Sequence, residues 1–113
     1  MITRSIIKPI ENLRGVGEVF LKGRLVTRVS YSLDVLQEET LDILAGPSSV
    51  VENMNSTVGT ITVIEKRKLL HGTEILTLRL KDNRCLDFDW RRSDPERPKY
   101  SIRSRGDFHF NFP

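Results

Sequence analysis

The sequence predicts an all-β domain: a small antiparallel barrel, or a sheet rolled on itself, of about seven strands. Three observations predict it. Apolar residues recur with period two through most of the chain, turn-forming Gly, Asn and Pro residues separate those runs, and only the stretch 38–45 carries helical spacing.

Taken in order, residues 1–15 show no strand pattern and are expected to be poorly ordered, which leaves one β domain over 1–113. Glu18 to Lys22 reads as a short strand, and Gly23 supplies the backbone freedom of a tight turn. From there Leu25, Val29, Tyr31, Leu33 and Val35 share one face, while Arg28, Ser30, Ser32 and Asp34 share the other. That is a long half-buried strand, the second arm of a hairpin, and its overhang offers an edge for pairing across a two-fold axis.

Gln37 to Pro47 supports two readings. Acidic residues at its start, Leu41, Leu44 and Ala45 at helical spacing, then Gly46 and Pro47, match the start and stop signals of a short helix near 38–45. Continuation of the long strand is the alternative, and the stop signals favour the helix. Ser48 to Thr57, rich in Ser and Asn, reads as a loop.

The second half is a meander. Thr60 to Glu65 is β-branched and strand-like, Lys66 to Gly72 connects, and Glu74 to Leu80 places Leu76, Leu78 and Leu80 on one face. Leu86, Phe88 and Trp90 then share a face opposite Cys85, Asp87 and Asp89. Parity decides the turn between these strands. A two-residue loop Asp82-Asn83 sets Leu78 opposite Asp87 and mixes core with solvent. A three-residue loop Lys81-Asp82-Asn83, with Asn83 left-handed, pairs Leu80 with Arg84, Leu78 with Leu86 and Leu76 with Phe88.

Trp90 to Lys99, with two prolines, reads as a loop, Tyr100 to Ser104 as a strand and Arg105-Gly106 as a turn. Asp107 to Phe112 reads as a last strand whose Phe108, Phe110 and Phe112 face the core, each stabilising by roughly 1.5–3 kcal/mol. Removing 108–113 is therefore expected to unfold the protein.

Composition limits function. A chain of 113 residues can bury enough surface to fold without staples, and its lone Cys85 permits neither an internal disulfide nor a multi-cysteine zinc site. The first residues hold no apolar run beyond Ile6-Ile7, so neither an export signal nor a membrane span is expected, and the location expected is cytoplasmic. Asn55-Ser56-Thr57 matches a glycosylation sequon, which without export is polar loop chemistry. The net charge of +3 is local: residues 1–64 carry −1, 65–105 carry +5 and 106–113 carry −1.

Gly15-Val16-Gly17 is followed by Phe20 and a strand, so it lacks the glycine loop and helix that cradle a phosphate, and reads as a flexible lead-in to the first strand. His71 and His109 show no metal-ligand spacing, and neither metal nor cofactor is expected. Asp87 and Asp89 project to one face about 6–7 Å apart. With His109 they are the enzyme alternative, to small-molecule binding or catalysis, but a cross-strand pairing of Asp87 with Thr77 and Arg79 explains them without chemistry. Cys85 has no sequence-adjacent histidine and no serine sits in a nucleophile elbow, so the chain is not expected to be an enzyme.

The sharpest candidate is the basic segment 90–105. Arg91, Arg92, Arg97, Lys99, Arg103 and Arg105, with Trp90 and Tyr100, combine the cations and rings of a single-stranded nucleic-acid or anion surface, and Lys66, Arg67 and Lys68 extend it. Asp94 and Glu96 dilute it, and the inward parity of Trp90 opposes it. Tyr31, Phe88, Trp90 and Phe110 should fill a barrel of this size, which argues against an interior ligand. The leading expectation is a non-catalytic binding or protein-interaction module, pairing as a homodimer or with another protein through a strand edge, with single-stranded nucleic-acid binding as the alternative.

Overall fold

The computed structural model describes the chain outside residues 1, 43, 45–49, 66–69, 71, 73, 95 and 111–113, and describes 50–53 by backbone alone. The described residues form six strands and no helix: β1 Thr3–Leu21, β2 Arg24–Asp42, β3 Val50–Val63, β4 Leu76–Arg79, β5 Cys85–Asp94 and β6 Lys99–Ser104. All pair antiparallel, and the order β1-β2-β3-β6-β5-β4 closes into a barrel. The expected all-β barrel is what forms.

Two of the hairpin turns follow from local chemistry. Lys22 and Gly23, at φ 49° and 82°, form a two-residue turn with both residues left-handed, whose twist matches the flanking strands. Asn83 sits at φ 71°, Leu80 and Arg84 are hydrogen-bonded across the turn, and Leu78 faces Leu86 while Leu76 faces Phe88. This is the three-residue register that parity requires.

Val19, Val29, Leu33, Ile61, Leu78, Leu86, Phe88 and Tyr100 fill the interior. Leu25, expected inside, is half exposed: a bulge between Val19 and Phe20 shifts the register, so buried Thr27 takes the last inward position and Leu25 turns out. Gly15 and Gly17 are not a loose lead-in but lie within β1, where side chains are excluded. A Cβ on Gly15 would lie 2.8 Å from the Tyr31 hydroxyl, and one on Gly17 2.5 Å from the Arg79 carbonyl. The glycines let the Tyr31 ring cover β1, and its hydroxyl accepts the Lys81 N–H at 3.2 Å.

Four expectations fail, and in each the ladder hydrogen bonds, made in three cases and missing in the fourth, outweigh side-chain pattern. Residues 38–42 are not helical but continue β2, where Glu38 to Leu41 are paired on one side with Arg4 to Ile7 and on the other with β3. The remainder of the proposed helix lies largely outside the described residues, and Leu44, 70% exposed, has no core to bury against. Residues 50–57 are strand instead of loop, and 3–15 are strand where disorder was expected. Finally, residues 107–110 form no seventh strand. They make one bridge, His109 with Cys85; Phe108 is half-buried, Phe110 is 73% exposed, and Phe112 lies outside the described residues. The described residues thus form six strands, the first two of 19 residues each, rather than seven short ones.

Strand length is what positions the functional surfaces. The barrel uses only part of β1 to β3. Beyond Glu11, Val35 and Thr57, which face one another, the three strands continue together as a ribbon, and β1 from Thr3 to Asn12 is exposed throughout.

Candidate functional site

The basic segment is the β5–β6 hairpin and the residue after it. Of its cations only Arg91 and Arg103 converge, bordering one shallow concavity with Asp89, Trp90 and Ser101. Arg92 donates to the carbonyls of Asp94 and Arg97 and so closes its own turn, Arg97 pairs with Asp94 at 3.7 Å, and Arg105 pairs with Asp89 at 3.2 Å. Arg91, Lys99 and Arg103 make no ion pair with a described residue. Arg91 and Arg103 flank Asp89 on the outer face, since Arg91 faces Ser101 and Arg103 faces Asp89. Both rings are held from the barrel side. Tyr100 is buried and its hydroxyl accepts the Leu70 N–H, while Trp90 packs edge-on to Tyr100 at 5.3 Å and donates its indole N–H to the Glu74 carbonyl. Stacking with bases needs exposed faces; Tyr100 has none, and Trp90 is half-buried against the core. Lys66, Arg67, Lys68 and His71 lie outside the described residues.

The carboxylates separate. Asp87 accepts from Thr77 Oγ1 at 2.8 Å and from His109 Nε2 at 3.2 Å, whereas Asp89 goes to Arg105. Asp87 faces Thr77 as the register requires, but Arg79 pairs with Glu18. Hydroxyl, carboxylate and imidazole meet with the carboxylate in the middle. Nucleophile activation needs the base against the hydroxyl, so this order anchors a segment instead. Cys85 beside them is fully buried. Burial pushes its thiol pKa up, Arg79 opposes and Asp87 adds to the rise. Among the described residues no group of three or more His, Cys, Asp or Glu is placed to hold a metal ion, and no helix is long and apolar enough to cross a membrane.

The feature missing from the sequence reading is the edge of β1. On one side β1 follows β2 for its whole length; on the other it meets β4 only at Glu18, Val19 and Phe20. Residues 3–17 therefore have no strand partner on that side among the described residues. The β4–β5 turn lies against part of this edge. Arg84 bonds Glu11 at 3.1 Å and Asp82 at 2.8 Å, and the Lys81 stem runs beside Gly15. Partial burial works to raise the Asp82 pKa, but the Arg84 N–H and guanidinium overcome it and hold the carboxyl below its usual range. Thr3 to Ile10 remain uncovered, with Ile6, Ile7 and Ile10 exposed. The opposite margin of the ribbon, residues 50–56 of β3, also lacks a strand partner on its outer side among the described residues, because β6 begins pairing only at Val58. The strand expected to overhang, 24–36, pairs with β1 along its length and with β3 from Val29 onward, so among the described residues only 24–28 lack a strand partner, on the β3 side.

Against known protein families, curated proteins and solved structures, the chain matches none.

Proposed function

We propose that the protein is a non-catalytic interaction module that self-associates by adding a strand of a second copy to the open edge of its ribbon. The observation that carries this reading is the unpaired edge Thr3–Ile10. A strand edge presents alternate N–H and C=O groups that only another strand satisfies in register, and proteins that stay monomeric cover such edges, shorten them or load them with charge. Here the edge carries Ile6, Ile7 and Ile10, with Lys8 drawn to Glu39 at 3.3 Å. Pro9 withholds one donor, so pairing uses the stretch before it. A second copy supplies a strand of matching length from the same ribbon, either β1 or the margin of β3.

Light scattering after size exclusion tests it. The expected mass is a multiple of 13.0 kDa, falling to 13.0 kDa for Ile7→Lys, which places a charge on the edge strand without touching the barrel core. A wild-type mass of 13.0 kDa up to about 100 µM overturns self-association at any useful affinity.

Arg91, Lys99 and Arg103 support nucleic-acid binding as a second reading, one that rests on phosphate contacts without base stacking. It requires affinity that falls steeply with salt.

A further inference from the structure

The structure assigns a phosphate-binding site to the cavity on the outer face of the barrel where β1 leaves β4, and the ligand class is a small molecule bearing a phosphate monoester. The cavity has a volume of about 370 Å³, within the range of small-ligand sites.

Three strands build it. Glu18 of β1 faces Arg28 of β2 on one side and Arg79 of β4 on the other, so these side chains form a row across the sheet. Lys81 and Asn83 close the cavity from the β4–β5 turn, and Val16 gives it an apolar patch. Three cations against one carboxylate leave a net charge of +2. A phosphate monoester carries about −1.5 to −2 at neutral pH, so the charges match.

The cations differ in how they are held. Arg79 is fixed by Glu18 at 3.5 Å, while Arg28 and Lys81 make no ion pair with any described residue. The carboxylates nearest the turn are engaged elsewhere: Arg84 takes both Asp82 and Glu11. Two uncommitted cations and one anchored guanidinium thus border one concavity, an arrangement that costs self-repulsion unless an anion relieves it. Arginine presents paired donors that match two phosphate oxygens, and lysine adds a mobile point charge. The turn that carries Lys81 is rigidly placed, because its N–H is bonded to the Tyr31 hydroxyl and Asn83 fixes the hairpin.

Glu18 gives the site its selectivity. An extended polyanion needs a stripe of cations, and a carboxylate in the centre of the row interrupts one. This separates the cavity from the β5–β6 surface, where Arg91 and Arg103 lie on other strands.

The test is an NMR titration of the full chain with inorganic phosphate at low ionic strength, repeated with a short oligonucleotide. Saturable shifts are expected at Gly17, Arg28, Arg79, Lys81 and Asn83. The double variant Arg28→Gln, Lys81→Gln, with a melting temperature showing it is folded, should bind at least about tenfold more weakly. Glu18→Gln should bind more tightly, because it removes the repelling carboxylate. Linear, unsaturated shifts up to about 20 mM phosphate, or shifts unchanged in the folded double variant, overturn the site. An oligonucleotide that moves the same resonances at lower concentration than phosphate overturns the small-molecule assignment.

Discussion

Asn83 shows how much a single residue fixes. Its left-handed backbone, φ 71°, lets a three-residue turn bring Leu78 against Leu86. A β-branched residue pays a steric penalty there of about 1–2 kcal/mol, whereas glycine has none. Asn83→Val should therefore lower stability by about that amount, and Asn83→Gly should leave it unchanged or slightly raised, within about 0.5 kcal/mol. Thermal or urea melts that rank Val level with Gly would show the turn has another conformation. This residue was legible from sequence because both strands bury one face, so only one parity avoids placing Asp87 inside. Gly15 and Gly17 were not legible in the same way. Their purpose depends on Tyr31, paired opposite Gly15 from another strand, and no local pattern announces a ring lying across them.

At the scale of the element, the C-terminal segment acts as a strap and not as a core strand. Arg105 N–H bonds the Asp87 carbonyl at 2.7 Å, Cys85 and His109 exchange both backbone hydrogen bonds, the Arg84 guanidinium lies 4.8 Å from the Phe108 ring centre, and His109 holds Asp87. Beneath it Cys85 is sealed although it points away from the barrel interior. Removing 107–113 should therefore not unfold the protein. It should cost about 2–4 kcal/mol, from two lost backbone bonds, a cation–π contact and the partial burial of Phe108. It should also expose Cys85 to a thiol reagent under native conditions, where the intact chain reacts only on unfolding. Truncated protein whose thiol stays as slow as in the intact chain would disprove the strap. The raised thiol pKa has a definite sign as well. Its contribution to stability is complete below the unfolded value, about 8.5, and is lost as pH rises through the higher folded value. The alternating phenylalanines suggested a strand because periodicity records which side chains could be buried. It does not record whether a neighbouring strand remains for them to pair with, and once β1 meets β4 the barrel is closed.

At the scale of the molecule, the protein is a barrel with a ribbon. A compact chain of this length has a radius of gyration of about 13 Å, whereas this one has 16.5 Å and a long axis of 55 Å. The difference is the continuation of β1, β2 and β3 past the core. Sequence conceals that continuation, because β1 from Thr3 to Asn12 is exposed on both faces and no apolar alternation marks it. Its order comes from ladder bonds to β2 on both sides. The barrel half was legible through its buried face, and the ribbon half was hidden by the lack of one.

This division predicts a pattern of hydrogen exchange. In β1 from Thr3 to Ile10, successive amides point alternately toward β2 and toward the open edge, so in a monomer alternate residues should exchange slowly and quickly. Val29, Leu33 and Ile61, flanked by strands on both sides within the barrel, should be uniformly slow. If a second copy adds a strand, the fast set in Thr3–Lys8 should slow as protein concentration rises, while the barrel amides stay unchanged. Exchange measured across a dilution series separates the outcomes. Concentration-dependent protection confined to the β1 edge places the contact there, and protection appearing along 50–56 assigns it to the β3 margin. Alternation that persists at every concentration leaves the edge open and removes it as the site of association.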